Sequence, residues 1–196
     1  MESTFEHFKV ICETRKSCRN FKTEAIPEES IEKILSTASL SPYAGGSKNW
    51  GIITVRERSI IESLSAAIEN EVERVSLNME DESREMFIKY SRNFLFFKNA
   101  PVLFVPYFRV SPVMKTLLKE SITEPILLWE RDNSVKSISC VSMMILLAAE
   151  SLGLGACYMT GPLIAERKIA QLLNIPPGRE AGALIPVGYA LSQNSK

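Results

Sequence analysis

A helix that is apolar on every side constrains this chain more than any other feature of its sequence. Residues 137–152 have the apolar spacing of a helix, and its middle part, Met143 to Ala149, carries no polar side chain. A helix without a polar face must be covered all round, either in the core or at a subunit interface. We therefore expect this helix at the centre of the fold or between two subunits.

Helical and strand-like segments alternate along the chain, with no repeat and no linker. Helical spacing of apolar residues ends near Arg15 and returns in segments 27–42, 59–72 and 164–173. The strand-like segments are 52–55, 101–108, 154–159 and 183–190, and Pro106 predicts that the second of them is an edge strand or ends early. A chain of 196 residues has the usual length of one domain, so we expect a single α/β or α+β domain over residues 1–196.

The charge balance argues against a strongly charged partner surface. Lys and Arg number 23, as do Asp and Glu, so the formal net charge is zero. Such a chain has no overall field to attract nucleic acid or an anionic membrane, and any anion must be held by a local cluster. With no apolar run of about 18 residues and no signal-peptide pattern at the N-terminus, we expect a cytoplasmic protein that does not cross a membrane.

The scarcity of histidine removes several kinds of chemistry. His7 is the only histidine, so a hydrolytic triad would depend on it alone and a multi-histidine metal site cannot be built. The four cysteines lack the CxxC spacing of a zinc ribbon or a thioredoxin-like centre. Cys140 and Cys157 lie in apolar surroundings, which favours buried free thiols over disulfides. We predict no metal site.

A basic cluster, Arg15-Lys16-Ser17-Cys18-Arg19, follows the first helical segment. Alternate residues of an extended segment point the same way, so Arg15, Ser17 and Arg19 could converge on one anion. Guanidinium groups bind phosphate through two hydrogen bonds and a hydroxyl adds a further short one, which suits a phosphate monoester. The alternative is a solvated basic patch that closes a helix C-terminus.

Two glycine-containing segments are further candidates. In the loop 42–50, Gly45 and Gly46 would let backbone amides approach a planar ligand, while Lys48 and Asn49 could hydrogen-bond its edges; the alternative is a plain helix-to-strand connector. The segment 152–162 contains GxGxx but lacks the third glycine and follows a helix rather than a strand, which excludes a dinucleotide fingerprint. With that motif excluded, the segment predicts a strand that ends at Thr160-Gly161, where a backbone N–H could face a ligand.

In their order and spacing these motifs resemble the nitroreductase family of FMN enzymes. The N-terminal part carries Arg-x-Ser-x-Arg-x-Phe, an Ile-Pro-Glu-Glu helix start and a Ser-Pro-x-Ala-Gly-x-x-x-x-Trp loop. The C-terminal part carries Asn-Ala-Pro-Val at 99–102, Leu-Leu-Ala-Ala-Glu-x-Leu-Gly-Leu-Gly at 146–155 and Val-Gly-Tyr at 187–189. Residues 56–95 and 109–133 are left unmatched.

The resemblance implies an α+β fold: a three-layer α/β/α sandwich with a mixed sheet flanked by helices, of the obligate-dimer type. It implies a homodimer with FMN at the interface. It also implies ping-pong hydride transfer, in which NAD(P)H as co-substrate reduces the flavin at N5 and a nitroaromatic, quinone or similar small acceptor then takes its place. No side chain need act as acid or base, so the lack of histidine is no obstacle.

The resemblance also implies roles for single residues. Arg15 and Ser17, with Lys16 beside them, correspond to ligands of the phosphate and ribityl chain. Arg19 corresponds to the residue at the flavin N1/O2 edge, where a fixed cation stabilises the negative charge of the reduced ring. Thr160 and Gly161 would supply the backbone donor near N5. The loop of the other subunit would contribute Pro42, Tyr43, Ala44, Gly45, Gly46 and Lys48. The chain end would contribute a last basic residue, Lys196.

The chain departs from the family pattern in three places. Tyr43, Gly46, Lys48 and Asn49 stand where the family often has Ser, Asn, Gln and Pro, and Met143-Met144 stand where Gln-Asn is common. The basic pair that often follows the last strand is reduced to Lys196 at most. These departures keep a second hypothesis open, a flavin-binding or flavin-handling protein without nicotinamide turnover. A third is an α/β binding module without flavin.

Overall fold

The computed structural model describes residues 3–44, 49–110 and 112–191. Over these ranges the helices are α1 (Thr4–Thr14), α2 (Glu28–Ser39), α3 (Arg58–Ser76), α4 (Asp81–Ser91), α5 (Val113–Leu118), α6 (Glu124–Ser151) and α7 (Glu166–Leu172). The strands are β1 (Trp50–Val55), β2 (Val102–Phe108), β3 (Gly155–Ala156), β4 (Glu180–Ala181) and β5 (Ile185–Gly188). Three 3₁₀ helices span Arg92–Asn99, Lys119–Ser121 and Gly161–Ala165.

The five strands form one sheet in the order β1-β2-β5-β3, with β4 also paired to β2. Every pairing between these strands is antiparallel. The predicted α+β fold is confirmed, but the sheet is mixed only through an isolated parallel bridge between Ser17 and Ala156. The N-terminal segment thus reaches the sheet beside β3.

Helices cover both faces of the sheet, because its central strand is apolar on both sides. Alternate residues of a strand point to opposite faces. Val102 and Phe104 of β2 belong to a core packed against α2 and α6, whereas Leu103 and Val105 belong to a second core packed against α3 and α7. The result is the expected three-layer arrangement of helix, sheet and helix.

The expectation that Pro106 marks an edge strand or an early strand end is wrong. β2 pairs with β1 along one side and with β5 and β4 along the other. On that second side the β5 ladder ends at Phe104 and the β4 ladder begins at Tyr107, so Pro106 lies in the gap between them. Its carbonyl accepts the Gly182 N–H at 2.7 Å, and its missing amide hydrogen costs no ladder bond.

The apolar helix is longer than its periodicity indicates. α6 has 28 residues and begins at Glu124, inside the stretch 109–133 that the family resemblance leaves unmatched. By length and composition alone it could cross a membrane, but half of its most apolar window is buried inside the fold, as in a core helix. Met143 is 48% exposed, so one chain alone does not cover this helix all round.

Candidate functional site

The basic cluster is fixed to the sheet on two sides. The Cys18 N–H donates to the Ala156 carbonyl at 2.9 Å, next to the bridge from Ser17 to Ala156. Phe21 forms a second bridge with Ala190. Gly155 permits this close approach, because a Cβ there would lie 2.7 Å from the side chain of Cys18. The segment that follows α1 is therefore an ordered part of the sheet edge.

Arg15, Ser17 and Arg19 all lie near Cys157, the residue after the one that bridges to Ser17. Burial raises the pKa of the Cys157 thiol, whereas the charges of Arg19 and Arg15 and the side chain of Ser17 act in the opposite direction. The thiol is therefore protonated at neutral pH and contributes no negative charge to these two guanidinium groups.

The described ranges contain no carboxylate in an ion pair with Arg15 or Arg19. Arg15 is half-buried and Arg19 is exposed. Lys16 is also exposed and lines a cleft of about 370 Å³, together with Asn20, Glu150 and Gly153. The arrangement can therefore accept an anion with several oxygen atoms.

Thr160 and Gly161 lie where the chain leaves the sheet. Met159 exchanges two backbone hydrogen bonds with Leu184, and the 3₁₀ helix begins at Gly161. The first amides of a helix have no partner within it, so the Gly161 N–H can face a ligand. A side chain at 161 would collide with Phe94, because an added Cβ would lie 2.3 Å from its ring atoms.

Arg19, Thr160 and Gly161 line the same cleft of about 200 Å³. Sequence reasoning missed its other wall, which α4 and the following 3₁₀ helix supply with Tyr90, Asn93, Phe94 and Phe96. The Tyr90 ring meets Phe94 edge-on at 5.3 Å between centroids, and the Arg19 guanidinium lies 5.5 Å from the centre of Phe96. Residues 69–92 are highly charged, as is typical of a solvated helix face, and the signal for this wall was the aromatic residues at the end of that stretch and just beyond it, Tyr90, Phe94 and Phe96.

The described residues of the loop that begins at Pro42 do not line this cleft. Pro42 and Ala44 are exposed, and the Ala44 N–H donates to the Ser137 hydroxyl at 3.1 Å. Tyr43 packs on Trp50, and its buried hydroxyl has no hydrogen-bond partner among the described residues. Burial raises the pKa of Tyr43. The remaining predicted residues, Gly45, Gly46, Lys48 and Lys196, lie outside the described residues.

All four cysteines are free thiols. Cys157 is buried as expected, but the expectation that Cys140 is buried is wrong, because it lies on the exposed side of α6. Within the described ranges, no group of three or more His, Cys, Asp or Glu side chains could hold a metal ion.

The chain belongs to the nitroreductase family, whose model matches residues 12–189. A candidate NADH dehydrogenase/NAD(P)H nitroreductase of Methanothermobacter thermautotrophicus is 30% identical over 180 residues, which are 90% of this chain and 73% of that protein. The iodotyrosine deiodinase of Hydra vulgaris is 26% identical over 188 residues, and the chain spans 64% of its length.

Solved structures show the same fold. A BluB-like flavoprotein of Clostridium difficile 630 superimposes with a TM-score of 0.83 at 22% identity, over 100% of this chain and 94% of that one. An iodotyrosine deiodinase bound to FMN and 3-iodo-L-tyrosine superimposes with a TM-score of 0.71 at 22% identity, over 96% of this chain and 92% of that one.

We predict that Gly161→Ala lowers the free energy of unfolding by about 1–3 kcal/mol, because the new methyl group displaces the Phe94 ring. The measurement is urea unfolding of four proteins: wild type, Gly161→Ala, Phe94→Ala and the double variant. The double variant should lose less stability than the sum of the two single losses, since removing the ring makes room for the methyl group. Strictly additive losses would contradict the close packing of Gly161 on this ring.

Proposed function

We propose that this chain is an FMN-dependent oxidoreductase that takes hydride from NAD(P)H and reduces nitroaromatic, quinone or similar small acceptors. Membership of the nitroreductase family supports the general class. One observation carries the assignment to this chain: Arg15, Ser17 and Arg19 lie near one another at the sheet edge, and Arg19 also lines the cleft at Thr160-Gly161. Within the described ranges neither arginine pairs with a carboxylate.

The donor set fits the two parts of FMN that need protein charge. Arg15 can bind a phosphate through two hydrogen bonds, with Ser17 and Lys16 as further donors. Arg19 can hold a positive charge at the N1/O2 edge of the ring, where the reduced flavin is negative. FMN bound here would supply the two-electron carrier between NAD(P)H and the acceptor.

The aromatic wall of the cleft favours a planar acceptor. Tyr90 is 62% exposed, so its ring is available to a ligand, while Phe94 behind it is buried. Aromatic rings stack or meet edge-on at the separations found here. Asn93 adds an amide that can donate to an oxygen of the acceptor and accept from its hydroxyl.

The function is tested by an anaerobic absorbance titration. The protein saturated with FMN is mixed with NADH or NADPH, and then with a nitroaromatic compound, a quinone or a halogenated phenol. We expect one nicotinamide to bleach the flavin band and an acceptor to restore it. A protein that retains no FMN after desalting, or whose bleached flavin no acceptor restores, would contradict the proposal.

A second candidate function is flavin binding or handling without nicotinamide turnover. The altered loop at 42–50 favours it, because Tyr43 places a buried phenol where the family often has a serine. Stable FMN binding with no bleaching by either nicotinamide in the same titration would support this function over the first. The deiodinase relatives make the halogenated phenol arm of the titration informative in either case.

We predict that Arg15→Ala weakens FMN binding by roughly 1.5–3 kcal/mol, because the variant cannot form the charge-assisted hydrogen bonds from this guanidinium to the phosphate. Fluorescence titration of FMN into the apoprotein measures the change. Arg56→Ala is the matched control, since Arg56 pairs with Glu28 on the surface and lines no part of the site. If both variants bind FMN like the wild type, the cluster is only a basic patch.

We also propose that the protein is a homodimer with FMN at the interface. No residue of α1 is buried, although Phe5, Phe8 and Val10 give this helix a large apolar surface. α6, which packs beside α1, exposes Met143 in the same way. Exposed apolar surface on neighbouring helices is typical of an interaction site. The described loop residues Tyr43 and Ala44 line a different cleft from Arg19, so the loop of a partner subunit could complete the site at Arg19.

We predict that Phe8→Asp shifts the protein from dimer to monomer, because it places a charge in the apolar surface. Light scattering after size exclusion measures the mass, and FMN affinity should fall with it. Leu77→Asp is the control, since Leu77 is 68% exposed at the far end of α3. A wild-type protein that binds FMN as a monomer would contradict the proposal.

A further inference from the structure

A second cationic cleft lies between α3 and the start of α7. It has a volume of about 630 Å³ and is polar, and we call it the α3–α7 cleft. Glu71 and Arg74 of α3 form one wall, and residues 164–168 form the other, ending with Glu166, Arg167 and Lys168. Neither the proposed FMN contacts nor the aromatic wall uses any of these side chains.

The carboxylates of this cleft are already engaged. Glu71 binds Arg74 through both oxygens, at 2.6 and 2.9 Å. Glu166 accepts the Ala181 N–H at 3.3 Å. The pKa of Arg131 is raised chiefly by its hydrogen bonds to Glu180, and the nearby charge of Glu166 adds to this shift. Arg167 and Lys168 are exposed, and no carboxylate within the described part of the chain forms an ion pair with them. Two neighbouring positive charges are therefore free to bind an anion.

The α3–α7 cleft and the candidate flavin site are lined by successive parts of one chain segment. Residues 157–162 line the cleft that contains Arg19, and residues 164–168 line the α3–α7 cleft. From Gly161 to Arg167 the rise of the 3₁₀ and α-helical residues sums to about 11 Å, and the non-helical backbone angles of Ala165, where the two helices meet, make this sum an upper bound on their axial separation. A ribose and a pyrophosphate can bridge a separation of this order.

We propose that Arg167 and Lys168 bind the phosphate groups of the dihydronicotinamide nucleotide while its nicotinamide ring lies at Thr160-Gly161. The inference rests on the proposed function, which requires such a nucleotide. Arginine can take two phosphate oxygens at once, and lysine adds a point charge beside it. The Arg15 cluster is unavailable for this role because the phosphate of FMN occupies it.

The test compares hydride donors with and without phosphate. FMN-loaded wild type and Arg167→Ala/Lys168→Ala are reduced anaerobically in a stopped-flow instrument by NADPH, NADH and 1-benzyl-1,4-dihydronicotinamide. Lys33→Glu is the matched control: it changes the net charge by the same two units on α2, across the sheet, where Lys33 pairs with Glu29. Calorimetric titration with NADP⁺ and NAD⁺ gives a binding readout independent of turnover.

We expect the double variant to need a higher concentration of NADPH, NADH or both for half-maximal reduction, by about tenfold for each side chain that binds phosphate in the wild type. Its limiting rate, its FMN affinity and its reduction by the phosphate-free donor should match those of the wild type and of Lys33→Glu. A change for NADPH alone places the 2′-phosphate in the cleft, and a change for both places the pyrophosphate there.

Two results would overturn the inference. One is equal concentration dependence and equal calorimetric affinity in wild type and double variant. The other is an equal loss with the phosphate-free donor, which would show damage to the flavin site. A wild type that no donor reduces would instead contradict the proposed function, and the titration with NADP⁺ would still decide whether the α3–α7 cleft binds phosphate.

Discussion

The backbone pairing between the N-terminal segment and the edge of the sheet is the constraint on which the candidate site depends. Cys18 is held by Ala156, and the Lys22 N–H donates to the Tyr189 carbonyl at 2.8 Å, so residues far apart in sequence are fixed in one plane. This extended conformation sends Arg15, Ser17 and Arg19 to one side. If the segment continued as a helix, Arg15 and Arg19 would share one face, four residues apart, but Ser17 would point away from them.

Each of the two hydrophobic cores supports a different part of the candidate site. The core between the sheet, α2 and α6 holds the buried side of α6, the apolar helix. Met143 on the other side of α6 is exposed, as are apolar residues of α1, and a second chain can cover both. The core of α3 and α7 includes Phe94 and Phe97 from the 3₁₀ helix, and so places the aromatic wall against Gly161. A change in either core would therefore act on a different side of the candidate site.

Local patterns predicted most of the fold, since the apolar helix, the strands and the alternating basic residues each have a signature within a few residues. What they missed depends on contacts distant in sequence. Pro106 is tolerated in a central strand because two different partners leave a gap opposite it. Tyr90 lies near the end of a charged run that is typical of a solvated helix, and Phe94 follows this run. Only the packing of α4 on the 3₁₀ helix brings them to Arg19. Likewise, Glu130 is buried because it accepts the Met114 N–H, which no spacing predicts.

Zero net charge makes the placement of unpaired cations informative. Several basic side chains pair with a carboxylate on their own helix, and exposed pairs of this kind contribute little to stability. Arg15, Arg19, Arg167 and Lys168 have no such partner within the described ranges, and they flank the segment 157–168 at its two ends. A protein without an overall field must bind anions by such local groups. Two separate anionic groups, one on a resident cofactor and one on a substrate that leaves, would require two such clusters. Arg19 lines the aromatic cleft, and Arg167 and Lys168 lie a few residues further along the segment that forms one of its walls.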